Sequence, residues 1–132
     1  MAAVPAHRTR PSPPPAQDCE MVSTTRVAID LLAPKWRVEI VYLLARGTRR
    51  YGQLYAELGT VSKKVLTQAL RGLEHDGLVE RIVFAEVPVR VEYELTPLGW
   101  SLTEPLEALS DWGQRHRRDV ERARDDSAVQ AA

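Results

Sequence analysis

Residues 60–82 read TVSKKVLTQALRGLEHDGLVERI, and this stretch decides the fold. Val65, Leu66, Ala69, Leu70 and Leu73 recur at helical spacing and form one apolar stripe. At about 100° per residue, Lys64, Thr67, Gln68, Arg71 and His75 gather on the opposite side. Ser62 stands where an N-cap belongs, just after Gly59-Thr60-Val61. Gly77 stands where the residue past a helix end belongs, and a strand-like run, Leu78 to Phe84, follows at once. A short helix, a Gly-containing turn and a second helix with a basic, amide-bearing outer face make a helix-turn-helix, which points to double-stranded DNA as partner.

The neighbouring segments extend this unit in both directions. Upstream, Tyr51, Leu54, Tyr55 and Leu58 mark the preceding short helix, and Lys35 to Ala45 carries Trp36, Ile40, Val41, Leu43 and Leu44 and stops at Gly47. Trp36 reads as a core residue. Before it, Val27, Ala28, Leu31 and Leu32 form an amphipathic helix over 24–32, which Pro34 interrupts. Downstream, Val79 to Phe84 is β-branched and apolar, and Val91, Tyr93 and Leu95 alternate with Arg90, Glu92 and Glu94. Glu86-Val87-Pro88-Val89 lies between them as a hairpin tip. The expected fold class is α+β, a winged helix-turn-helix with a two-stranded β wing and extra N- and C-terminal dimerisation helices.

Thr96-Pro97 is a helix start, with an N-cap before proline at the first helical position. The last helix then carries Leu98, Leu102, Leu106, Leu109, Trp112, His116 and Val120, close to a coiled-coil seam, with a kink at Pro105. This stripe either folds back on its own core or forms a dimer seam, and the seam is favoured because such regulators read two half-sites. The expected homodimer interface is Val27, Ala28 and Leu31 with Leu102, Leu106, Leu109, Trp112 and His116. The expected organisation is a Pro-rich arm at 1–17, a winged domain with its dimerisation helices at 18–124, and a frayed tail at 125–132.

The net charge of the 132 residues is zero, but the charges are not evenly spread. Arg46 to Arg71 holds six bases and one acid, and Ile82 to Gly113 holds six acids and one base, Arg90. A local basic face therefore carries more weight than the sum. Expected DNA contacts are Arg49, Ser62, Lys63, Lys64, Thr67, Gln68, Arg71 and Arg90. Gln68 and Arg71 have the amide and guanidinium groups that pair bidentately with adenine and guanine, and Lys63, Lys64 and Thr67 suit phosphates. His75 reads as a helix-end residue. Arg90 has two readings, a reach to the minor groove or a cross-strand partner for a glutamate.

Other classes find no support in the residues. One cysteine, Cys19, excludes an internal disulfide, and the three histidines show no ligand spacing, so no metal or cofactor is expected. No Gly-rich phosphate loop or nucleophile–base pairing suggests an enzyme. No apolar run approaches the roughly 18 residues of a membrane span, so a cytoplasmic protein is expected. The competing reading is a winged-helix module for protein–protein contact without DNA binding, against which Lys64, Gln68 and Arg71 speak.

Several segments together resemble the HxlR-type winged helix-turn-helix family of bacterial transcriptional regulators. They are Lys35-Trp36, RRYGQL at 49–54, SKKVLTQALRGLEHDGLVER at 62–81, EVPVRVEYELTPLG at 86–99 and Asp111-Trp112-Gly113. The resemblance spans roughly residues 19–116. It departs from the family's pattern at Ala33-Pro34, where a glycine pair usually stands. The resemblance implies homodimers joined through N- and C-terminal helices and control of nearby genes. It also implies a response to a small-molecule effector or, through a cysteine placed as Cys19 is, to thiol-reactive agents.

Overall fold

The computed structural model describes residues 18–131, and these divide into two compact units that part between Ala33 and Pro34. The first unit is helix α1 (Asp18–Leu32), closed by a hydrogen bond from the Ala33 amide to the Ile29 carbonyl. It begins six residues before the expected 24–32, with Glu20 in the first turn, where an acid suits the helix dipole. Cys19 is therefore within the helix, and its side chain lies outside the described residues, as does the expected arm at 1–17. The division falls at the same Ala33-Pro34 that departs from the family pattern.

The second unit begins with α2 (Arg37–Ala45), two residues later than expected. Trp36 delays it by taking the left-handed conformation, φ 78°, which is rare for a bulky side chain and costs on the order of 1–3 kcal/mol. Trp36 is half-buried, less enclosed than a core residue, with the Lys35 ammonium 5.3 Å from its ring centroid. Then come β1 (Arg49–Arg50), α3 (Tyr51–Leu58), α4 (Lys63–His75), β2 (Val79–Phe84) and β3 (Arg90–Leu95). The sheet is antiparallel in the order β1-β3-β2, so it has three strands where two were expected. The added strand pairs Arg49 with Tyr93 and Arg50 with Glu92.

The core lies where α2, α3 and α4 meet the base of the hairpin. Ile40, Leu44, Leu54, Leu66, Leu70, Leu73 and Leu78 are all fully enclosed. Each such side chain stabilises the fold by roughly 1.5–3 kcal/mol relative to exposure. Val65, expected on the same stripe, is 37% exposed at its edge.

The C-terminal segment is two helices rather than one kinked helix: α5 (Pro97–Ser101) and α6 (Thr103–Ala131). The Thr96 hydroxyl caps α5 by accepting from the Gly99 amide at 3.1 Å, and donates to the Gly77 carbonyl at 2.6 Å. Gly99 is required here because a Cβ would run into the Leu78 carbonyl oxygen. Pro105 has no N–H for the Ser101 carbonyl and its ring would strike it, so α5 ends there and Pro105 sits in the first turn of α6. Leu106 is 5% exposed, with its carbonyl accepting from the Tyr42 hydroxyl of α2 at 3.2 Å. Leu106, expected in the dimer interface, is thus enclosed within its own chain. The helix also continues to Ala131, through the stretch at 125–131 expected to fray.

Candidate nucleic-acid interface

Helix α4 is set by its cap and by its neighbours. The Ser62 hydroxyl accepts from the Val65 amide at 3.1 Å, satisfying one of the free donors of the first turn. Ser62 is thus occupied in forming the helix. At the other end the Arg37 guanidinium reaches the Asp76 carboxylate at 2.6 Å and lies against Gly72. Between them, the Tyr51 hydroxyl donates to the Lys63 carbonyl at 3.0 Å and lies 3.3 Å from the Thr67 hydroxyl. The first residue of α3 therefore holds the first two turns of α4, and Thr67 is half-buried toward α3.

The outward face of α4 carries Lys64, Gln68, Arg71 and His75, all exposed. Lys64, Gln68 and Arg71 make no hydrogen bond or ion pair among the described residues. Lys63 is exposed too, its ammonium 5.7 Å from the Tyr55 ring centroid. Arg71 also borders a cleft of about 360 Å³ between α4 and the sheet, lined by Tyr51, Thr67, Leu70, Glu74, Arg81 and Tyr93 as well. Arg81 is exposed on β2, opposite Tyr93. The sequence pattern did not single it out, because a base on a strand has no helical face to be grouped with.

Two other expected contacts are engaged inside the protein. Arg49 bonds Glu57 at 3.1 Å and the carbonyls of Gly47 and Thr48, closing the turn into β1. Arg90 lies 4.0 Å over the Phe84 ring centroid, 3.4 Å from Glu86 and 3.5 Å from Glu92. Its partners are thus an aromatic ring across the hairpin, one acid of the tip and one acid of its own strand. Arg50, also absent from the expected set, is mostly exposed and stands 3.9 Å from Glu92.

On α1, Val27 is 67% exposed, Ala28 is exposed and Leu31 is half-buried. On α6, Leu109 is 65% and Trp112 53% exposed, and the Trp112 ring lies 4.9 Å from that of His116. Leu102 and His116 are half-buried, and Trp100 on α5 is about half exposed. Among the described residues no three or more His, Cys, Asp and Glu side chains gather as a metal site, and no helix is long and apolar enough to cross a membrane.

Residues 31–121 match the family model described as HxlR-like helix-turn-helix. The chain is 39% identical over 105 residues to the HTH-type transcriptional regulator YtfH of Escherichia coli, covering 80% of this chain and 83% of that protein. A solved regulator of the MarR family from Enterococcus faecalis V583 superposes with a TM-score of 0.70 at 38% identity, covering 76% of this chain and 92% of that one. The redox regulator HypR in its oxidised form superposes with a TM-score of 0.65 at 30% identity, covering 70% and 95%.

Proposed function

The chain belongs to the HxlR-like helix-turn-helix family of DNA-binding transcriptional regulators, and we propose that it works as a cytoplasmic homodimer whose two α4 helices enter successive major grooves. The observation that carries this reading is the outer face of α4. It is a capped helix, fixed at both ends by Ser62 and Asp76, with exposed Lys64, Gln68 and Arg71 uncommitted to any other described residue. Gln68 and Arg71 are assigned to base edges, and Lys63 and Lys64 to phosphates. A gel shift on the DNA upstream of its own gene, repeated across salt concentrations, tests the proposal. A sequence-dependent shift that weakens steeply with salt is expected. No shift at low salt would favour the protein–protein module instead.

A thiol-reactive signal is assigned to Cys19, the one cysteine of the chain, placed in the first turn of α1. The structural similarity to a redox regulator supports this assignment. Two Cys19 thiols from two chains would lose two electrons and two protons to diamide and form one intersubunit disulfide. DNA binding is measured before and after diamide in the wild type and in Cys19→Ser. A change confined to the wild type is expected, and equal responses would remove Cys19 from the signal path.

A further inference from the structure

The wing is the most acidic part of the chain that a winged-helix protein brings toward DNA. Residues 86–94 contain Glu86, Glu92 and Glu94 against one base, Arg90. Three bare carboxylates within a Debye length of a phosphate, about 8–10 Å at physiological salt, would repel the duplex. The structure disposes of two of them. Arg90 sits opposite Phe84 in the hairpin register, stacks on its ring at 4.0 Å, and brings Nη2 within 3.4 Å of Glu86 and Nε within 3.5 Å of Glu92. Arg50, opposite Glu92 on β1, adds a second cation 3.9 Å from the same carboxylate. The arginine side chain is only 30% exposed and Glu92 only 22%. Glu86, though paired, is 54% exposed, and beside it the outermost side chains are apolar: Val87 is fully exposed, Val89 66% and Val83 53%, with Pro88 between the first two.

We infer that Arg90 is a positioning residue, the internal counter-ion of the wing. Together with Arg50 beside Glu92, it balances the charges of Glu86 and Glu92, so that the apolar edge Val87-Pro88-Val89 can meet the sugars of the minor groove. The chemistry fits that occupant, since apolar side chains pack on deoxyribose walls and between base steps. A direct phosphate contact would need the guanidinium to leave an aromatic ring and two carboxylates. This inference rests on the DNA-binding reading above.

The test is a charge rescue, read by fluorescence anisotropy on a mixed-sequence duplex across salt concentrations. Arg90→Ala alone should weaken binding about tenfold, by baring Glu86 and leaving Glu92 with Arg50 alone beside the phosphates. Adding Glu86→Gln and Glu92→Gln to it should restore affinity to within about threefold of the wild type, with the wild-type salt slope. The pair Glu86→Gln and Glu92→Gln with Arg90 retained leaves the stacked arginine in place, and should bind at least as tightly as the wild type. If the triple variant stays as weak as Arg90→Ala, with a salt slope lower by about one, Arg90 touches phosphate itself and the inference falls. Unchanged affinity in Arg90→Ala overturns it as well. A wild type that leaves the duplex unbound at low salt removes the DNA-binding reading, and this inference with it.

Discussion

Arg37 at the start of α2 and Asp76 at the C-cap of α4 form an ion pair 2.6 Å long, and the Arg37 guanidinium lies against Gly72. The pair ties the last turn of the DNA-facing helix to the helix behind it, with side chains 13% and 29% exposed. Gly72 is in the middle of α4, where alanine would otherwise be favoured by about 1 kcal/mol. A methyl group there displaces the Arg37 guanidinium, and a charge-assisted bond of this kind contributes roughly 1.5–3 kcal/mol. The loss outweighs the gain, so Gly72→Ala should destabilise the wild type. In an Arg37→Ala background the same change should stabilise by about 0.5–1 kcal/mol. Denaturant unfolding of the four proteins reads the sign reversal. The same sign in both backgrounds would show that Arg37 is not what holds position 72 to glycine.

Tyr51→Phe should loosen α4 without opening the core. The hydroxyl makes bonds of 3.0 and 3.3 Å to Lys63 and Thr67, and removing it costs about 0.5–1.5 kcal/mol. Hydrogen exchange should quicken in the first two turns of α4 and stay unchanged in the buried strand residues Tyr93 and Leu95. Uniform quickening across the domain would instead make Tyr51 a general stability residue.

The fold was legible in the sequence wherever a face had one periodicity and a clear end. Helix α4 was bounded almost to the residue because Ser62 and Gly77 supply a cap donor's partner and a left-handed exit, φ 78°. The parts that escaped depend on partners far along the chain. Strand β1 has two residues, too few for an alternation, and exists because Tyr93 and Glu92 lie beside it. Leu106 and Leu109 share one stripe, yet Leu106 meets α2 and is buried while Leu109 is exposed. In the candidate site, residue type located the exposed face of Lys64, Gln68 and Arg71. It did not reveal that Arg49 is paired with Glu57, and for Arg90 it left a groove contact and a glutamate partner both open, where the structure has Glu86 and Glu92 beside it. A guanidinium's partner is a matter of tertiary geometry, and composition sees only its charge.

Arg71 and Lys64 should separate base reading from phosphate holding. Arg71→Ala is expected to cost about 1–3 kcal/mol of operator binding and to relax preference at one base position. Lys64→Ala should weaken all sequences alike and lower the salt slope by about one. Selection from a random duplex pool with each variant reports both effects. An Arg71→Ala protein that selects the wild-type operator unchanged would remove Arg71 from base recognition.

Leu109→Asp and Leu106→Ala should fail in opposite ways, although they lie one helical turn apart. Leu106 is enclosed by its own chain, so truncating it leaves a cavity and costs about 2–5 kcal/mol of folding stability. The oligomer that remains folded should be unchanged. Leu109 is 65% exposed beside Trp112, so a carboxylate there disturbs nothing in the single chain. In the proposed dimer it would be driven into an apolar seam, where an unpaired charge is costly enough to keep the chains apart. Light scattering at micromolar concentration should then give a dimer for wild type and Leu106→Ala, and a monomer for Leu109→Asp. A monomer can occupy only one half-site, so operator affinity should fall by about 100-fold or more as the second contact is lost. A Leu109→Asp protein that stays dimeric would move the seam off this face of α6.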